Sequence, residues 1–209
     1  MTDPTNSPLE SPVETDMPEE FDWSMLSVQD PMAMVRGQLE FSWMVLRDRL
    51  TRLTDDEYGW EPAPGALSVR LRSDARTSRV LGTGDWVAEW PDGHDSPGPR
   101  TIAWLIAHLT EAFFERWEWT FGSRQRRRDD LDLPGERSEA VAELTRWVNA
   151  WRHGVAALRV AEVMAVGLST ASDIDAVAPF GHLVLHVNRE LIHHGAEILV
   201  LQDLHAAQT

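Results

Sequence analysis

Apolar residues recur at helical spacing in four separate stretches of this chain, and tracts rich in proline, glycine and tryptophan divide them. The first stretch, "DPMAMVRGQLEFSWMVLRDRLTRLT", opens with Asp30 as an N-cap and Pro31 at the first helical position, and its periodicity runs to Leu53. The second, "TIAWLIAHLTEAFFERWEWTFG", starts from an N-cap at Thr101 and stops at Gly122, a residue suited to a left-handed C-cap. The third, "EAVAELTRWVNAWRHGVAALRV", follows Ser138, and the fourth follows Pro179 and continues to about Leu204. Between the first two, Pro62, Pro64 and Gly65 break the helix, and the alternation in "LSVRLR" and "WVAEW" predicts a short β-hairpin across Gly82 and Gly84. Four long helices without an extended sheet predict an all-α four-helix bundle, with the Gly/Pro/Trp-rich insert between helices one and two.

Composition narrows the picture. The chain has 209 residues, of which 43% are hydrophobic, enough for one domain with a substantial core, here taken as residues 21–209. Residues 1–20 are acidic and proline-rich, a composition that predicts a disordered tail. No apolar run reaches the ~20 residues of a membrane span, no basic-then-apolar leader opens the sequence, and a cytoplasmic location is expected. There is no cysteine, which excludes disulfides and thiolate metal sites. A formal charge of −15 repels phosphate backbones, so nucleic acid is not an expected partner. All nineteen basic residues are arginine, and the densest run, "RQRRRDD" from Arg124, reads as a solvated interhelical loop.

The chemistry concentrates in the last helix, where "HVNRELIHHGAEI" (His186 to Ile198) sets three histidines and two glutamates in an otherwise apolar segment. On a wheel with His186 at zero, Leu183, Val184, Val187, Leu191, Ile198 and Leu201 fill an arc from roughly 60° to 160°. Glu190 falls near ~40° and His194 near ~80°, inside or beside that arc, whereas His182 and His193 fall at its rim. A buried glutamate needs a cation or takes up a proton, and beside a histidine a metal ion is the simplest cation. A three-ligand site with an open position requires one more donor from another helix. His108, the one histidine of helix two, borders the face containing Ile102, Leu105, Leu109 and Ala112 and is the candidate.

At these residues the chain resembles the DinB/YfiT-like superfamily of metal-binding four-helix bundles. The resemblance rests on "YGWEPAPGALSV", on "TIAWLIAHLTE" with His108, and on "NRELIHHGAEILVLQDL", and covers roughly residues 30 to 205. Many members carry H-x3-H in the last helix. The E-x3-H pattern here, followed three residues later by an acid, is more similar to the branch that includes mycothiol-dependent maleylpyruvate isomerase. The resemblance implies a divalent ion, zinc first and nickel, manganese or iron as alternatives, held by His108, Glu190 and His194. Sliding the register by one residue would select Arg189 and His193, and arginine cannot ligate a metal. His186 is the alternative ligand, and Glu197 a candidate to orient a ligand histidine.

The resemblance further implies a transferase or isomerase that uses a low-molecular-weight thiol, acting through a metal-bound thiolate. A hydrolase that activates water at the metal, and a non-catalytic metal-binding stress-response protein, are the alternatives. The expected partners are a small-molecule substrate, the thiol, and a second copy of the chain in a homodimer. Trp60, Trp86 and Trp90, in or beside the insert, are candidates to wall a pocket over the metal, and Arg189 or Arg116 to bind a substrate carboxylate. The segment Gly65 to Arg100 is too long for a plain connection and is expected to pack over the metal end.

Overall fold

The computed structural model describes residues 31–92 and 98–208, so the tail at 1–20 and the Asp30 cap lie outside the described residues. In chain order the elements are α1 (Pro31–Arg52), α2 (Asp55–Gly59), β1 (Val69–Leu71), β2 (Arg79–Leu81), β3 (Trp86–Trp90), α3 (Ile102–Thr120), α4 (Arg137–Ala156), α5 (Val160–Val163), α6 (Asp173–Val177) and α7 (Phe180–Ala206). The protein is mostly helical. Its long helices pack in a closed ring in which α1 touches α7 and α4, and α3 touches the same two. Among the described residues no helix is long and apolar enough to cross a membrane.

The apolar periodicity explains the ring. On α7 all six aliphatic residues of the expected arc are buried, and they meet Trp43, Leu46 and Leu50 of α1 and Leu144, Val148 and Trp151 of α4 in one core. Each such side chain contributes about 1.5–3 kcal/mol on burial. The helix α3 differs, because it is buried nearly all round, from Ile102 to Thr120. It has to be covered on every side, and α4, α7 and the small sheet share that task.

Three expectations need correction. The chain is not all-α: β1, β3 and β2 form an antiparallel sheet in that order, with Val69 opposite Ala88 and Leu81 opposite Ala88 on the other edge. The hairpin across the glycines joins β2 to β3, and the strand from "LSVRLR" pairs with the far edge of β3. With three residues, β2 is too short to display a period of two. Its turn uses Gly82 at φ +119, where a side chain would be strained and would press on the Trp86 carbonyl at 3.1 Å. Second, α3 ends on Phe121 in the right-handed region, and the left-handed residue is Arg124 at φ 58. Gly122 instead lies against α3, where a Cβ would sit 2.8 Å from the Glu118 backbone. Third, α2 is an unexpected helix, closed by a capping box between Thr54 and Glu57 that was present in the sequence as T-x-x-E.

The "RQRRRDD" run is an interhelical loop, exposed except at Arg128, but three of its arginines also pair with α3. Buried Glu111, Glu115 and Glu118 line one side of α3, and the run lies along them, with Arg128 Nη1 3.5 Å from Glu111, Arg127 Nη1 3.7 Å from Glu115 and Arg126 Nη2 3.4 Å from Glu118. The same guanidinium groups cover Trp90, Trp119 and Phe114 respectively. Burial raises the Glu118 pKa, but hydrogen bonds from the Ser123 hydroxyl, the Gln125 N–H and Arg126 outweigh it and hold the carboxyl below its usual range.

Packing at Gly154 of α4 yields a prediction whose sign opposes helix propensity. Alanine in place of a helix-interior glycine gains about 1 kcal/mol. At this position the Cβ would lie 2.5 Å from the Phe121 ring, which Trp151 and Phe180 contact at centroid distances of 5.7 and 6.2 Å. Overpacking of that kind costs about 1–3 kcal/mol. Gly154→Ala is expected to lower the melting temperature in a calorimetric scan, and a rise would show that the ring gives way.

Candidate metal centre

The donor atoms come from two helices. His108 lies on the second turn of α3, after the Thr101 cap whose hydroxyl accepts from the Trp104 N–H at 3.2 Å; Glu190 and His194 lie one turn apart on α7. His108 Nε2 is 3.6 Å from Glu190 Oε2, and His194 Nε2 is 3.3 Å from the same oxygen. One donor atom from each of the three residues fits within 4.8 Å of the others.

The far side of each imidazole is also held. His108 Nδ1 lies 3.1 Å from Glu111 Oε1, and His194 Nδ1 lies 3.2 Å from Glu197 Oε2. An ionised carboxylate only accepts, so each Nδ1 donates a proton to its acid and each Nε2 donates one toward Glu190, the proton that a bound ion would replace. Arg100, at the end of the insert, pairs with Glu197 through Nε and Nη2, both at 3.0 Å. Arg128 stands behind Glu111, whose second oxygen is buried without a hydrogen-bond partner among the described residues.

Electrostatics follow from these contacts. The hydrogen bonds from His108 and then His194 hold the Glu190 carboxyl far below its ordinary pKa. Burial lowers both imidazoles, yet the contacts of His108 with Glu111 and Glu190, and of His194 with Glu190 and Glu197, outweigh it and raise both pKa values. The cluster favours positive charge at its centre.

The donor set fits a divalent ion. Bonds of 2.0–2.2 Å in a tetrahedral arrangement place neighbouring donors about 3.4 Å apart, between the two separations that Glu190 Oε2 makes with the imidazoles. Two nitrogens and one carboxylate oxygen, with an acid behind each nitrogen, match the donors that zinc and related ions take.

Among the other candidates, Trp90 is at the site: its ring centroid is 5.8 Å from that of His108 and 5.2 Å from that of Trp104. Trp104 stacks on His108 at 5.1 Å, and Arg100 covers Trp104 at 5.3 Å. The insert thus reaches the metal end through Trp90 and Arg100. Trp60 and Trp86 are not brought to the cluster. Trp60 packs on His205, about 16 Å along α7 from His194, and Trp86 lines a separate cavity with Arg126 and Trp147. His186 lies outside the triad, with Nδ1 3.5 Å from Glu190 Oε1, and Arg189 Nη2 donates to Glu190 Oε1 at 2.8 Å. His182 and His193 are exposed, as the wheel predicts for rim residues. Sequence reasoning missed Glu111 and Arg100. For Glu111 a signal existed, since H-x2-E occurs twice, at His108 and at His194.

A family model of the DinB superfamily matches residues 38–198. The chain belongs to the DinB superfamily. The match runs from within α1 to within α7, and so includes all three donor residues of this DinB chain. No curated protein and no solved structure matches it.

Proposed function

We propose that this DinB-superfamily chain is a metal-dependent enzyme of four-helix-bundle type, in which His108, Glu190 and His194 hold one divalent ion, with zinc the first choice. The proposed reaction is transfer or isomerisation of a small-molecule substrate with a low-molecular-weight thiol, as in the mycothiol-dependent maleylpyruvate isomerase-like branch. One observation carries the reading: two imidazoles, each held at Nδ1 by its own carboxylate, present Nε2 to the same oxygen of Glu190. When bound, the ion would supply Lewis acidity with about one unit of net positive charge, which favours an anionic partner such as a thiolate.

The chain's own groups do the rest. Glu111 and Glu197 fix the tautomer and tilt of the two rings, Arg100 keeps Glu197 in place, and the Trp90 and Trp104 rings exclude water from the His108 side. The chain has no cysteine, so a sulfur nucleophile has to come from a cosubstrate. The test is spectroscopic. Cobalt-substituted protein titrated with mycothiol, bacillithiol, glutathione and coenzyme A should develop a sulfur-to-metal charge-transfer absorption with one of them. Bound cobalt with no such band for any of the four thiols would overturn the thiol reading in favour of hydrolysis or a non-catalytic role.

A further inference from the structure

Glu190 faces two ways. Its Oε2 belongs to the triad, while Oε1 receives Arg189 Nη2 and lies beside His186, two residues that line a cavity of about 490 Å³ between α3, α6 and α7. Two arginines line this cavity, Arg116 and Arg189, against one acid, Asp175. In a chain whose formal charge is −15, that is a local reversal of sign.

The arginines are not used up by the protein. Arg116 Nη1 donates to Glu115 at 3.1 Å, but its Nε is buried without a partner among the described residues. Arg189 commits Nη2 to Glu190 and to His186 Nδ1, the latter at 2.6 Å. A guanidinium carries five N–H donors, so both retain donors for a ligand. Asp175 accepts from the Ser172 hydroxyl at 2.7 Å. The rest of the wall includes Ile174 and Leu185, large apolar side chains that are 70% and 54% exposed. An anion alone would leave them in water, whereas an organic acid covers them with its hydrocarbon part.

We infer that this cavity binds the carboxylate end of a small organic acid, anchored by Arg116 and Arg189, with its hydrocarbon body against Ile174 and Leu185. Planar guanidinium groups match a carboxylate in paired hydrogen bonds. Naming that acid as substrate or cosubstrate rests on the function proposed above; the binding itself does not.

The experiment is calorimetric titration of the full chain, metal-free and Zn(II)-loaded, with hexanoate, hexanol and inorganic phosphate. Hexanoate should bind saturably to both forms, with hexanol and phosphate at least about tenfold weaker. Arg116→Gln should weaken hexanoate at least about tenfold while Zn(II) binding stays at the parent value. Leu185→Trp, at an exposed position that leaves the core untouched, should fill the cavity and abolish hexanoate binding. Equal binding of hexanoate and hexanol, a preference for phosphate, or full hexanoate affinity in the Leu185→Trp protein would overturn the inference. Hexanoate binding without any Zn(II) binding would overturn the metal reading alone, and the reverse result would overturn this inference alone.

Discussion

Protein carrying His194→Ala is expected to bind Zn(II) more than about 100-fold more weakly than the parent, because loss of a direct donor exceeds the 10–100-fold typical of a group behind it. His193→Ala should stay within about threefold of the parent. The two residues are neighbours in sequence, and their rings stack with centroids 4.9 Å apart, yet His194 faces Glu190 with Nε2 at 3.3 Å and His193 points to solvent. Competition against a chromophoric chelator measures both affinities. Equal losses in the two variants would sink the Glu190/His194 register. The contrast also separates coordination from general damage to α7, since both substitutions remove an imidazole from the same helical turn.

The second large effect lies in the sheet. Glu89 of β3 is 1% exposed; one oxygen accepts from the Ser68 N–H at 3.0 Å and Arg70 Nε at 3.1 Å, the other from the Arg76 N–H at 2.7 Å. Its own carbonyl accepts from Trp104 Nε1 at 2.6 Å, which ties the sheet to α3. Alanine would leave the buried Ser68 N–H and the half-buried Arg76 N–H without their acceptor and Arg70 with Glu61 as its remaining carboxylate partner, a loss of about 3–5 kcal/mol. For a domain of this size that corresponds to a fall in melting temperature of roughly 6–20 °C. Trp90 follows Glu89 directly, so the same variant should loosen the aromatic wall beside His108. An unchanged melting temperature would mean that the carboxylate does not clamp the insert.

The legible and illegible parts of this chain differ for physical reasons. The long helices were readable because their apolar faces repeat at 3.6 residues over many turns, and the bounds of α1 and α7 fall within about two residues of those expected. The donor triad was readable for a related reason: an i, i+4 pair on a buried arc and a lone histidine on an apolar helix both contradict their surroundings. The strands β1 and β2 were harder, with three residues each. The arginine run was rightly read as an exposed interhelical loop, but its ion pairs were not readable because their partners are invisible to a local reading. Only when α3 is known to be buried all round do Glu111, Glu115 and Glu118 become charges that need neutralising, and the nearest cations are those just beyond the helix.

That nearness matters for how the chain closes on itself. Arg126, Arg127 and Arg128 meet their glutamates across 8 to 17 residues, whereas His108 meets Glu190 across about 80. With closure entropy growing as (3/2)RT ln n, the shorter loops form at a cost lower by at least about 1.4 kcal/mol. The acidic side of α3 can therefore be neutralised by contacts of low sequence separation, before α7 docks. The long-range closure that completes the donor set then joins a helix whose charges are already matched.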